Sequence, residues 1–241
     1  MHKLSYDMHI HSCLSPCGDE DMTPANIVNM AMLKELEVIA VTDHNSCKNC
    51  PPVLALAEEC GILAIPGMEL CTMEEVHVLC LFATLKAALD FDAYVYNKLI
   101  KIPNDERVFG KQELYNEEDR CIGTEPYLLI NATEISFESL GGIMKQFHGI
   151  YIPAHIDKSS NGLISNLGFI PPDSSFRCAE LRHIGRKEEY IKQHPYLRNC
   201  NIITNSDAHS LELINEPINF MYSEGKSRED ILKSLFTSHE Y

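Results

Sequence analysis

Glu37-Val38-Ile39-Ala40-Val41-Thr42-Asp43-His44 is a run of β-branched and small apolar residues that ends in a carboxylate and an imidazole. A near-continuous apolar segment suits a strand of a parallel sheet covered on both faces, because a half-solvated strand would alternate. The same logic reads Leu4–Ile10, just upstream, as a strand that ends in His9 and His11. Between the two, Thr23-Pro24 supplies a helix N-cap and a first-turn proline, opening an amphipathic helix to about Glu35. Downstream, a helix over Pro51–Cys60 is stopped by Gly61, and Ile62–Pro66 and Val76–Ala83 read as further strands. Strand and helix alternate in the manner of βαβ units.

The rhythm changes beyond Lys86. A helix through Leu89–Ile100 ends before Pro103, a strongly polar stretch follows, and Tyr127–Asn131 reads as a strand. Segment 86–135 is therefore expected to be an insertion that caps a site. Ser136 introduces a helix over Phe137–Phe147, and strands resume at Ile150–Ala154, Cys178–Leu181 and Asn201–Thr204. Ser227 caps a last helix, with Asp230 three residues on. The whole of 1–241 reads as one domain.

The chain has 241 residues, 45% of them hydrophobic, and a formal net charge of −15. Sequence-independent binding to a phosphate backbone depends on surplus cations, so no stable nucleic-acid complex is expected. The partner expected instead is a small phosphorylated substrate. No apolar run reaches the roughly eighteen residues of a membrane span, and the N-terminus lacks an apolar signal core, so a cytoplasmic setting without a membrane partner is expected. Oligomeric state cannot be read from the sequence.

Histidines and carboxylates cluster at strand ends: His9 and His11, Asp43 and His44, Glu69, His155, Asp207 and His209, with His77 in Val76-His77-Val78. In parallel α/β folds, catalytic groups gather at the carboxyl ends of strands. Residues i and i+2 of an extended chain face the same side, so His9 and His11 can offer both rings to one ion. Nitrogen and oxygen donors of this kind suit zinc, iron or manganese. His2, His194 and His239 carry no such context and read as ordinary surface or core residues.

His9-Ile10-His11, Thr42-Asp43-His44, Gly67-Met68-Glu69, Ala154-His155 and Ser206-Asp207-Ala208-His209 resemble, in order, the motifs of the polymerase and histidinol phosphatase (PHP) family. The resemblance implies an α/β fold, a distorted (β/α)7 TIM-like barrel, with two or three divalent metal ions at the strand ends. By position, it implies one ion at His9, His11, Glu69 and Asp207, and a second at Glu69, His77 and His155. A third falls to Asp19, His44 and His209, with Glu20 or Asp21 as alternatives to Asp19. Asp43 would orient a ligating imidazole. Ile156 departs from the proline often found after the histidine.

The chemistry implied is phosphate-ester hydrolysis by a metal-dependent hydrolase, in which ions lower the pKa of bound water from about 15.7 to about 7. Lys158 and Arg182 are candidate cations for the substrate phosphate. A 3′-end nuclease and a non-catalytic regulatory module are the competing readings. Cys13, Cys17, Cys47 and Cys50 fall on loops after the first two strands, where four thiols could bind zinc or an iron–sulfur cluster, form a redox pair, or simply pack.

Overall fold

A computed structural model describes residues 1–236; His239 lies outside the described residues. The strands are β1 (His2–Ile10), β2 (Val38–Val41), β3 (Leu63–Ala64), β4 (Gly67–Cys71), β5 (His77–Phe82), β6 (Glu113–Tyr115), β7 (Cys121–Thr124), β8 (Gly149–Pro153), β9 (Cys178–Glu180), β10 (Asn201–Ile203) and β11 (Phe220–Ser223). The helices are α1 (Pro24–Leu33), α2 (Cys50–Glu59), α3 (Leu85–Lys98), α4 (Glu106–Phe109), α5 (Leu140–Gln146), α6 (Leu163–Leu167), α7 (Lys187–Gln193) and α8 (Arg228–Ser234). None of these helices is long and apolar enough to cross a membrane.

The fold is α/β with mixed sheets, ordered β11-β1-β2-β3, β4-β5-β8, β10-β9 and β6-β7. β1, β2 and β3 pair in parallel, as do β9 and β10, and β2 is buried along its whole length. Pairing of β4 with β5, of β5 with β8 and of β1 with β11 is antiparallel, which corrects the purely parallel expectation. The antiparallel hairpin matters for the site. β5 runs back from the end of β4, so Cys71 pairs with His77, and His77 reaches the same rim as the other histidines from the beginning of its strand.

Local chemistry explains the helix starts. Thr23 caps α1 by accepting the Asn26 N–H, and Ser227 and Asp230 form a reciprocal capping box on α8. Phe137–Ser139 forms a 3-10 turn rather than the start of one long helix, and α5 follows it. β4 is a strand that the sequence reading passed over: Glu69 lies within it, opposite Leu79, instead of following a strand.

Tyr127–Asn131 is not a strand. Pairing goes no further than a bridge from Tyr127 to Pro103 and the Leu128 N–H bond to the Ile102 carbonyl; beyond it Gln112 Oε1 accepts the Leu129 N–H at 2.8 Å, and Asn45 Nδ2 donates to the carbonyls of Leu129 and Asn131. Within the polar stretch, β6 and β7 form a hairpin whose Glu113 N–H donates to the Cys13 carbonyl at 3.0 Å. Asp119 accepts the Ala25 N–H at 3.2 Å, so the hairpin lies on the loop that leaves β1.

A candidate metal centre

The ends of β1, β2 and β8, the middle of β4, the start of β5 and the loop after β10 bring their imidazoles and carboxylates to one buried place. His9, His11, His44, Glu69, His77 and His155 are all nearly inaccessible to solvent. Glu69 is central. Its Oε1 lies 3.2 Å from His9 Nε2, 3.0 Å from His77 Nδ1 and 3.1 Å from His155 Nε2, and its Oε2 lies 3.3 Å from His11 Nε2 and 3.1 Å from His44 Nδ1. Asp207 Oδ1 stands 3.3 Å from His9 Nε2 and 3.5 Å from His11 Nε2.

Outer partners fix which ring nitrogen faces inward. The carboxylate of Glu180 accepts from His9 Nδ1 at 3.0 Å, leaving Nε2 as the inward atom. Ser15 donates its hydroxyl to Asp43 Oδ1 at 2.7 Å and so accepts from His11 Nδ1 at 2.9 Å. Asp43 thus orients His11 through Ser15, while its other bonds come from the N–H and hydroxyl of Ser12. The Asp207 carbonyl accepts from His209 Nδ1 at 2.7 Å, which leaves Nε2 of that ring as the lone-pair atom. Partners of this kind, outside the ligand set, hold the ring and tautomer of a metal-binding histidine.

The arrangement is poorly satisfied by its own hydrogen bonds. Held outward through Nδ1, neutral His9 and His11 present two Nε2 lone pairs to each other at 3.2 Å. Glu69 Oε2, His44 Nδ1 and His155 Nδ1 are buried without a hydrogen-bond partner, a state that folded proteins rarely tolerate. A cation placed among the inward-facing atoms relieves the conflict between the two Nε2 lone pairs and gives Glu69 Oε2 and His44 Nδ1 a partner. Donor atoms on a tetrahedral zinc with bonds of about 2.0–2.1 Å stand about 3.3 Å apart, close to these spacings.

Electrostatics point the same way. Burial works to lower the His9 pKa, but Glu180, Glu69 and Asp207 outweigh it and hold it well above the usual imidazole range. His11 is likewise raised to about 9, against burial, by Asp207 and Glu69. Burial would raise the pKa values of Glu69 and Asp207, yet the neighbouring histidines hold both carboxylates well below their ordinary values. Burial carries His44 well below its normal pKa, and burial with the charge of His11 lowers His209 to about 4. Protons and a divalent ion compete for the same nitrogens.

Three sets of donor atoms lie within 4.8 Å of one another: His9, His11 and Glu69; His44, Glu69 and His77; and His11, Cys17, His44 and His209. Of the ligands named from sequence, His9, His11, His44, Glu69, His77 and His209 fall in these sets, His155 and Asp207 stand beside them against Glu69 and His9, and Asp19 does not join. Asp19 is exposed and meets the centre only through its N–H, which donates to the His209 carbonyl at 2.9 Å; Cys17 stands in the third set instead. Lys158 Nζ lies 3.3 Å from Asp207 Oδ2, beside the cluster. Arg182 is exposed, and its main-chain N–H donates to Asp157 Oδ1.

Among the described residues, Cys13, Cys47 and Cys50 are buried and join none of the donor sets, so the four loop thiols do not assemble into one site. Sequence reasoning missed Glu180, which besides His9 accepts the His155 N–H at 2.9 Å and Asn205 Nδ2 at 2.8 Å. Its only sequence signal was a carboxylate closing the short run Cys178-Ala179-Glu180.

This fold carries a rim of imidazoles and carboxylates, and residues 7–156 match the PHP domain. The chain belongs to the PHP domain family. An uncharacterised protein of Methanocaldococcus jannaschii, MJ1587, is 34% identical over 79 residues, which cover 30% of this chain and 46% of that protein. Among solved structures, the lesion-specific endonuclease PfuEndoQ from Pyrococcus furiosus superimposes with a TM-score of 0.65 at 19% identity, covering 98% of this chain and 56% of the endonuclease. An endonuclease Q complex with a 27-mer duplex, its abasic lesion at the active site, gives 0.62 at 20% identity, covering 96% and 56%.

The chain thus spans about half the length of these relatives. The duplex complex overturns the expectation that a chain like this forms no stable nucleic-acid complex, because a protein this chain resembles in structure was solved holding a DNA duplex. Net charge was the wrong quantity: a sum over the chain says nothing of the field at one rim.

Proposed function

We propose that the chain is a metal-dependent phosphoesterase in which His9, His11, Glu69, His77, His155, Asp207, His44 and His209 hold two or three divalent ions. The observation that carries this reading is the buried Glu69 carboxylate among inward-facing imidazoles whose hydrogen-bonding capacity is left unmet. Zinc, iron and manganese all suit the nitrogen and oxygen donors. When bound, such ions supply hydroxide near neutral pH and stabilise the attacking and leaving oxygens of a phosphate ester.

The protein's own part is positioning. Glu180 and the Ser15–Asp43 pair hold the His9 and His11 rings, and the Asp207 carbonyl holds His209. Lys158, at the edge of the cluster, offers an ammonium to the incoming phosphate, and we assign the same role to Arg182 on the neighbouring loop. The insertion over 86–135 forms a wall of the pocket, a reading supported by its bonds to Cys13 and Ala25. We read 1–241 as one domain and its strands as a distorted (β/α)7 barrel. The bridge between Ile10 and Ala208 and the Ile156 N–H bond to the Glu180 carbonyl support that arrangement.

A small phosphorylated metabolite or nucleotide is the substrate class we favour. A nucleic-acid end or lesion is a second reading, favoured by the likeness to endonuclease Q. Metal content by plasma mass spectrometry, with hydrolysis assays on small phosphomonoesters and on short DNA carrying an abasic site, tests both. Two or three ions with chelator-sensitive hydrolysis are expected, and the cleaved member of the panel assigns the substrate class. Failure to bind zinc, iron or manganese on reconstitution would overturn the proposal.

A further inference from the structure

Cys17 is exposed as a residue, yet its thiol belongs to the donor set with His11, His44 and His209. The loop that carries it is tightly fixed. Ser15 N–H donates to the Ser12 carbonyl at 3.0 Å, Gly18 N–H to the Ser15 carbonyl at 2.9 Å, and Asp19 N–H to the His209 carbonyl at 2.9 Å. A Cβ on Gly18 would come within 2.4 Å of the Ser12 carbonyl oxygen, so only glycine lets the chain turn this closely after Cys17. His44 brings to the same set a ring that is 3% exposed and makes no hydrogen bond through Nδ1, which stands 3.1 Å from Glu69 Oε2. His209, its Nδ1 committed to the Asp207 carbonyl, brings a lone pair on Nε2.

The nearby carboxylates of Asp19, Glu20 and Asp21 join none of the donor sets. Asp19 is exposed, and Glu20 pairs with Lys111 at 3.6 Å. We propose that Cys17 Sγ is a ligand of the third ion, which makes that site a sulfur-containing one formed with His44 and His209 in place of an all-nitrogen-and-oxygen site. The inference rests on the metal-centre reading above and goes beyond it in chemistry. A thiolate among the donors favours zinc or ferrous iron over manganese and makes this one position of the centre sensitive to thiol reagents and oxidants.

Cobalt(II) titration of the metal-free full chain tests the proposal without reference to turnover. The wild type should show visible ligand-field bands together with a near-ultraviolet sulfur-to-cobalt charge-transfer band. Cys17→Ser should keep the ligand-field bands of the remaining sites and lose the charge-transfer band, whereas Cys121→Ser, at an exposed thiol outside the donor sets, should keep both. Ligand-field bands without charge transfer in the wild type, or charge transfer that persists in Cys17→Ser, would overturn the assignment and leave the phosphoesterase reading standing. No cobalt binding at all would remove both.

A measurement on the wild type alone guards against a misfolded variant. Metal and alkylating reagent compete for the same thiolate, so zinc should slow iodoacetamide labelling of Cys17 by about tenfold and leave Cys121 unaffected. Equal labelling of Cys17 with and without zinc would exclude the assignment.

Discussion

Glu69 is the residue on which the centre turns, since its two oxygens are shared among imidazoles from β1, β5 and the loops after β2 and β8. Glu69→Gln is expected to remove about two ions from each chain, because one oxygen of the bridge becomes an amide that donates rather than accepts. His44→Ala should deplete only the third position. Plasma mass spectrometry on both proteins checks this, and unchanged metal content in both would refute the ligand scheme. Glu180→Gln acts one step out. It keeps the size of the side chain but weakens the hold on His9, so metal affinity should fall about 10–100-fold while the fold is retained; competition with a fluorescent chelator measures it. His155 and Asp207 sit at φ 29° and 54°, a left-handed backbone that costs non-glycine residues energy and clusters where function fixes the chain.

At the scale of elements, the β4–β5 hairpin delivers Glu69 and His77 side by side. It can close only because Gly67 has no side chain: a Cβ there would meet the Cys80 carbonyl oxygen and a Leu81 methyl, each at 2.6 Å. Gly67→Ala should destabilise the chain by about 1–3 kcal/mol, the usual range for overpacking, and should weaken metal binding with it. Urea unfolding in the presence and absence of zinc would reveal both effects. This hairpin also marks how far the sequence could be read. Parallel strands such as β2 announce themselves by an apolar run buried on both faces. β4 begins at Pro66-Gly67, a turn signal, and its pairing depends on residues six to fourteen positions away, so local pattern hid it. Tyr127–Asn131 failed in the opposite direction, its apolar side chains suggesting a ladder that Gln112 and Asn45 replace. Caps at Thr23 and Ser227 were legible because their bonds span only three residues.

For the molecule as a whole, the centre gathers buried groups that lack hydrogen-bond partners, so ion binding should stabilise the folded state by mass action. Zinc at one hundred times its dissociation constant should add about 2.7 kcal/mol, which for a chain of this size raises Tm by roughly 5–10 °C. Differential scanning fluorimetry with chelator and then zinc measures the shift, and no shift would mean that the cluster binds no ion. The ordered histidines and carboxylates were readable from sequence because each motif is local, whereas Glu180 and Cys17 gain their meaning from residues far along the chain. The net charge of −15 misled for the same reason: it averages over distance. The bridge from Ile10 to Ala208, with the His11 N–H donating to the Ala208 carbonyl at 2.9 Å, joins the first strand to a segment near the other end of the chain. On a ribosome adding about 5–20 residues per second, His9 and His11 emerge many seconds before Asp207 and His209. The nascent chain therefore carries open imidazoles and thiols while the intervening segment is made, and its correct metallation waits until Asp207 and His209 have emerged.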